Sequence, residues 1–230
     1  MRTMIFDIDK TLLTGSHCHF YSFKQAFRDL FDVEIEIDIG SIQGMTDREI
    51  IFRTARRYGL EIDDGVFSEI VDSISCHYLE NLERDRITPL EGAGVVLEKL
   101  HEMNVPLGVV TGNIEPVAWL KLQQAGFSEY FSYGGFGNEG CRRSSIIRVA
   151  LERLAAREGP VNPSETFIVG DTPRDIAGGR EAGLRTIGVA TGDFTCAELK
   201  SAGADHVLEG LHDVEGFFEI ISAYGAGVSL

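Results

Sequence analysis

Short apolar runs alternate with helical patterns through most of this 230-residue chain, and that alternation admits few folds. Residues 3–6, 106–110, 131–133, 166–169 and 186–189 are short and mostly rich in β-branched or aromatic side chains, which predicts buried strands. Helical spacing fills the gaps at 95–103, 116–124, 144–157 and 175–182. Strand–helix–strand order implies a doubly wound α/β fold, a parallel sheet with helices on both faces. One interval breaks the rhythm. Between about residues 15 and 88, Phe23, Phe27, Leu30 and Phe31 keep helical spacing, as do Phe67, Ile70, Val71, Ile74, Tyr78 and Leu82. Only 33–39 alternates like a strand, so a small β element is expected there. The organisation this predicts is a core of residues 1–14 and 90–230, with an all-helical unit of residues 15–89 inserted after the first strand.

Composition narrows the function classes. The formal net charge of −15 repels nucleic acid, and no Lys/Arg run offers a local exception. Four scattered cysteines (Cys18, Cys76, Cys141, Cys196) form no CxxC pair, which suits reduced thiols in a cytoplasm better than a disulfide framework. The start Met-Arg-Thr-Met-Ile-Phe-Asp puts an acid where a signal peptide needs an apolar run, and no apolar stretch is long enough for a membrane span. The expectation is a soluble cytoplasmic protein, monomer or homodimer, without nucleic-acid or membrane partners.

Ligands bind open parallel sheets beyond the carboxyl ends of the strands. There the first strand runs into Asp7-Ile8-Asp9, the second into Thr111-Gly112-Asn113, and the fourth into Gly170-Asp171-Thr172-Pro173-Arg174-Asp175. A single acid at such an end is commonly a helix cap. Four on two ends repel one another unless a cation joins them, and an all-oxygen set favours Mg²⁺. Alternate residues of an extended segment point the same way, so Asp7 and Asp9 can face one substrate, one as nucleophile and the other as proton donor and acceptor. Thr111 with the amides of Gly112 and Asn113 can hold the oxygens of a transferring group, and a basic side chain must balance its charge.

Asp7-Ile-Asp9-Lys-Thr11-Leu-Leu, Val110-Thr111-Gly-Asn113 and Val169-Gly-Asp171-Thr-Pro-Arg-Asp175 resemble, in order, the first, second and fourth motifs of the haloacid dehalogenase superfamily. The likeness extends over essentially the whole chain, and its subgroup is phosphoglycolate-phosphatase-like with a small helical cap on a Rossmann-like core. The resemblance implies that Asp7 forms an aspartyl-phosphate and that Asp9 is the general acid/base with its backbone carbonyl on Mg²⁺. It also implies that Asp171 is a metal ligand, Asp175 a ligand or a residue behind one, and Thr111 a phosphoryl binder. Dehalogenases of the superfamily lack the second acid, so Asp9 points to phosphoryl transfer. Two positions depart from the pattern. Lys10 stands where relatives commonly carry Gly, and no Lys lies between Lys121 and Lys200 to supply the third motif. Arg143 is the favoured substitute, with Arg142 beside it as the other candidate.

The inserted unit matches the cap that closes such sites. Within it Gly44-Met45-Thr46-Asp47-Arg48 resembles a specificity loop, making Thr46 and Arg48 candidate substrate-selecting residues. The plainer reading has Thr46 capping a helix, with Glu49 completing a capping box. Gly135-Phe-Gly137-Asn-Glu-Gly140 fits a dinucleotide fingerprint, but a lone match is weak and a turn positioning Arg143 is preferred. His17-Cys18-His19 lacks further zinc ligands nearby and is expected to be a hinge or to place a histidine near substrate. The expected activity is Mg²⁺-dependent hydrolysis of a small phosphorylated metabolite, phosphoglycolate-like substrates among them. The alternatives are a sugar phosphomutase and a non-catalytic binding protein of the same fold.

Overall fold

The computed structural model describes residues 2–224. Six parallel strands lie in the order β5-β4-β1-β6-β7-β8: β1 Thr3–Phe6, β4 Leu107–Val110, β5 Tyr133–Gly135, β6 Thr166–Gly170, β7 Arg185–Val189 and β8 His206–Leu208. The order reverses between β1 and β6, which pair in parallel with Ile5 opposite Ile168. Neighbouring strands whose crossovers run in opposite directions leave a crevice at their carboxyl ends. Asp7 and Asp171 follow those two strands directly.

Helices α4 (Ala93–Glu102), α5 (Glu115–Gln124), α6 (Arg143–Glu158), α7 (Pro173–Glu181), α8 (Cys196–Ser201) and α9 (Val214–Ser222) connect and cover the sheet. β1, β4 and β6 are buried along their whole length, which is why they read as continuous apolar runs rather than as alternation. Met4, Phe6, Val109, Phe167 and Val169 pack on one face, and Ile5, Val110 and Ile168 on the other.

The inserted unit is helical, with α1 Cys18–Phe31, α2 Asp47–Tyr58 and α3 Asp64–Glu80. Its apolar residues Phe23, Phe27, Ile51, Ile70, Ile74 and Tyr78 form a cluster that also takes in Ile114 and Val117 at the start of α5 in the core. The chain leaves the core along β2 (Leu13–Thr14) and returns along β3 (Thr88–Pro89), two short antiparallel segments. At that crossing Gly15 has φ 96°, and a Cβ there would meet the Arg86 carbonyl oxygen at 2.0 Å, so the two connections pass in contact. Asp85 ties them together by accepting from the His17 and Cys18 amides at 2.8 and 2.7 Å.

The segment 33–39 is not a strand. Ile35 is buried and Glu34, Glu36 and Asp38 are exposed, so the alternation is a true in–out pattern on extended backbone. Among the described residues it has no neighbouring strand to pair with, and the Tyr58 hydroxyl accepts from the Glu36 amide instead.

Candidate active site

Asp7, Asp171 and Asp175 each bring a carboxylate oxygen to within 4.8 Å of the other two, and all three residues are buried. Each is placed by its own local device. Asp7 continues β1, its amide donating to the Val169 carbonyl at 2.9 Å. Asp175 closes a capping box on α7, in which its Oδ2 accepts from the Thr172 amide at 3.1 Å and hydroxyl at 2.6 Å. The capping reading is thus right for one oxygen; the other, Oδ1, faces the cluster. Gly170 makes room for it, since a Cβ there would meet the Asp175 carboxyl carbon at 2.5 Å.

Arg143, the first residue of α6, enters this cluster. Its Nη1 donates to Asp7 Oδ1 and to the Val110 carbonyl, both at 3.3 Å. Its Nε lies 3.0 Å from Asp175 Oδ1, an ion pair without hydrogen-bond geometry. Gly178 on α7 leaves the space for this side chain, because a Cβ there would meet Arg143 Cγ at 2.8 Å. Arg142 is exposed, so of the two arginines the structure brings only Arg143 to the acids.

One guanidinium against three carboxylates leaves negative charge unbalanced. Burial raises Asp7 well above the ordinary carboxylate range, the charge of Asp175 adds to the rise, and Arg143 opposes it. Asp171 is pushed up to about 8, first by burial and then by Asp175. Asp171 Oδ2 and Asp175 Oδ1 are buried without a hydrogen-bond partner. An all-oxygen set with two orphaned oxygens suits a hard divalent cation such as Mg²⁺.

The linkage has a definite sign. Asp171 has a native pKa raised from 3.8 to about 8, so above pH ~4 the native state keeps a proton that the unfolded chain has lost. The metal-free protein therefore loses stability as pH rises between those values, and a divalent cation held by these acids would displace that proton and stabilise more at the upper end. Thermal unfolding at pH 5 and pH 8, with EDTA or Mg²⁺, checks this. A midpoint in EDTA that does not fall with pH contradicts it.

Asp9 is held apart from the cluster. Its Oδ1 and Oδ2 each accept from Lys121 Nζ at 2.9 Å, and Oδ2 accepts from Asn113 Nδ2 at 2.6 Å. Burial acts to raise Asp9, but Lys121 and Asn113 outweigh it and bring it below the ordinary value. Thr111 Oγ1 accepts from the Asn113 amide and side chain at 3.2 and 2.6 Å, leaving its own proton to donate into the cleft. The Asn113 amide is thereby turned to Thr111. Lys10 has φ 61°, the left-handed conformation that glycine adopts without strain. Its ammonium points out to Asp193 at 2.9 Å.

Lys121 was not singled out from the sequence, although it is 1% exposed and central to the site. Its Nζ also donates to Asn113 Oδ1 at 2.9 Å and lies 3.4 Å from His19 Nδ1. The signal was a lysine at i+4 from Val117 on the buried face of α5, beside Ala118 and Leu122. His19 reaches Asp47 Oδ2 through Nε2 at 2.9 Å, so the histidine expected near substrate does reach the cleft, beside Lys121 and Asp47. His17 lies at the mouth, and His17-Cys18-His19 forms no metal cluster among the described residues.

Thr46 caps α2, its Oγ1 accepting from the Glu49 amide at 3.2 Å. Glu49 does not close a capping box; its carboxylate pairs with Arg174 at 3.2 Å. Arg48 is not brought to the cleft. Its guanidinium lies over the Phe67 ring, 4.2 Å from the centroid, and 3.7 Å from Asp64. At the first turn of α2 successive side chains diverge by roughly 100°, so Asp47, not Arg48, faces inward.

The start of α2 is joined to the core by backbone. The Asp47 amide donates to the Gly112 carbonyl at 2.7 Å and the Arg48 amide to the Gly137 carbonyl at 3.0 Å. A Cβ on Gly137 would meet the Gly112 oxygen at 1.7 Å, and one on Gly135 the Ile146 oxygen at 1.9 Å. These glycines serve close backbone approach, which answers the dinucleotide fingerprint. The cleft so enclosed has a volume of about 330 Å³ and is lined by Asp7, Asp9, Thr111, Lys121, Arg143 and Asp171 on the core side.

A sequence model of the haloacid dehalogenase-like hydrolases matches residues 4–189. A pyrophosphatase PpaX of Oceanobacillus iheyensis is 23% identical over 219 residues, covering 93% of this chain and 95% of that one. A glyceraldehyde 3-phosphate phosphatase of Methanocaldococcus jannaschii is 22% identical, covering 84% and 87%. The crystal structure of CbbY from Rhodobacter sphaeroides in complex with phosphate shares the fold, with TM-score 0.72, 20% identity and 93% and 96% coverage. No helix among the described residues is long and apolar enough to cross a membrane.

Proposed function

The chain belongs to the haloacid dehalogenase-like hydrolases, and from that premise we propose that it is a magnesium-dependent phosphatase of small phosphomonoesters. The observation that carries this is the buried Asp7 carboxylate, 3.3 Å from Arg143 and clustered with Asp171 and Asp175 at the reversal point of the sheet. Relatives named as phosphatases over nearly the whole chain support the reaction class.

In this reading Asp7 attacks phosphorus as the ester oxygen leaves, giving an aspartyl-phosphate. Protonated Asp9 supplies the leaving oxygen with its proton. Water then attacks the phosphorus, Asp9 takes the water's proton as the carboxylate that Lys121 favours, and the Asp7–phosphorus bond breaks. Arg143 and the Thr111 hydroxyl hold phosphoryl oxygens, with the Gly112–Asn113 turn beside them. Asp7, Asp171, Asp175 and the Asp9 backbone would hold Mg²⁺, which supplies positive charge to the phosphoryl oxygens and offsets their repulsion from the acids. Residues 15–89 act as a lid over the 1–14 and 90–230 core, excluding water other than the attacking molecule.

The test is phosphate release from p-nitrophenyl phosphate and a panel of small phosphoesters with Mg²⁺. Release abolished by EDTA is expected. Conversion of a hexose 1-phosphate to its 6-phosphate isomer without free phosphate would overturn hydrolysis in favour of a mutase.

A further inference from the structure

Resting on the reading of this cleft as a phosphatase site, we propose that its outer half selects uncharged, largely apolar alkyl or aryl leaving groups. The corollary is discrimination against phosphoesters whose leaving group carries a second anion. One wall of the cleft comes from the helical insert. It presents Phe20, Ile39, Ile42, Met45 and Ile50, together with the polar Ser16 and Gln43, the two histidines His17 and His19, and one acid, the buried Asp47.

A carboxylate or second phosphate in that half would need a cation whose charge is not already matched. The Lys and Arg residues lining the cleft are three, all from the core, and each faces carboxylates. Arg143 serves Asp7 and Asp175, Lys121 serves Asp9, and Lys10 pairs with Asp193 while also reaching Gln43 Oε1 at 3.4 Å. Arg48, the one arginine in the loop that could have reached in, is spent on the Phe67 ring and Asp64. His19 is no substitute. Its ring nitrogens are already engaged, Nδ1 3.4 Å from the Lys121 ammonium and Nε2 2.9 Å from Asp47 Oδ2, so neither is open to an incoming anion. His17 is exposed at the mouth, where solvent screens it.

Asp47 sharpens the discrimination. Its Oδ2 is fixed by His19 and by the Ile114 amide at 2.7 Å, so the carboxylate cannot swing away from an incoming anion. An anionic leaving group would be desolvated beside a fixed like charge, whereas an apolar one gains burial against the five hydrophobic side chains. The wall is in its seated position here, because the Asp47 and Arg48 amides are bonded to the Gly112 and Gly137 carbonyls.

Matched pairs test this with the wild-type protein and Mg²⁺. Ethyl phosphate and phosphoglycolate differ only by a methyl against a carboxylate, and phenyl phosphate is set against 4-carboxyphenyl phosphate and pyrophosphate. The expected result is a kcat/KM at least tenfold higher for each neutral member, residing mainly in KM. Equal or preferred turnover of the anionic members overturns the selectivity while leaving the phosphatase reading intact; no release from any ester sinks that reading itself. Asp47→Asn keeps an oxygen for the Ile114 amide and removes the charge, and should narrow the neutral-to-anion ratio several-fold. An unchanged ratio in a folded variant overturns the role given to this wall.

Discussion

Asp7→Asn loses phosphatase turnover by at least about three orders of magnitude while the protein stays folded. The amide cannot form the acyl-phosphate, and the neighbouring acids are held in other positions. Asp9 is pinned by Lys121 and Asn113, and Asp175 Oδ2 is committed to Thr172. The same substitution removes one of three crowded carboxylates. Asp7 is raised by burial and by Asp175, so the metal-free variant should unfold at the same temperature as the wild type or higher. Phosphate release and thermal unfolding on one preparation check both halves. Retained turnover refutes Asp7 as nucleophile, and a large drop in unfolding temperature shows a structural role instead.

The second large effect is on stability. Arg143→Met leaves Asp7 and Asp175 buried without their shared cation, and breaking a buried pair from one side costs roughly 3–5 kcal/mol. For a chain of this length that corresponds to a fall of about 10 °C in the unfolding midpoint without metal. Magnesium supplies charge to the same acids, so its stabilising increment should be larger in the variant than in the wild type. Arg143→Lys keeps a charge at the end of a shorter reach and should fall between the two, which separates loss of charge from loss of packing. An Arg143→Met midpoint in EDTA equal to the wild type's refutes this account.

How far the sequence disclosed this site depends on what each residue's signal was. The first strand and its two acids were legible because a four-residue apolar run ends abruptly in charge, and β1 begins and ends where that run does. β5 begins two residues later than expected, at Tyr133, because two of its three residues are glycines that hide a strand. The edge strand β8 and the helices α8 and α9 went unread; β8 is three residues long and only Leu208 in it is buried. Arg143 was readable from its place before a helix. Lys121 was not, because its partners Asp9 and His19 are more than a hundred residues away and no local spacing encodes that meeting. Arg48 misled for a related reason: the loop identified it, but the side-chain direction is set by the first turn of α2 and by an aromatic pair, Phe52 one turn along the same helix and Phe67 on α3.

The lid is seated by amides and carbonyls of 47–48, 112 and 137, groups that every non-proline residue possesses. The five apolar side chains that meet the leaving group take no part in those bonds. Recognition can therefore drift during evolution, one wall residue at a time, without loosening the closure that shelters the chemistry. What selection must keep fixed is two glycines, Gly112 and Gly137, at which any side chain would collide with opposing backbone. A lineage that holds this pair can trade one substrate for another cheaply.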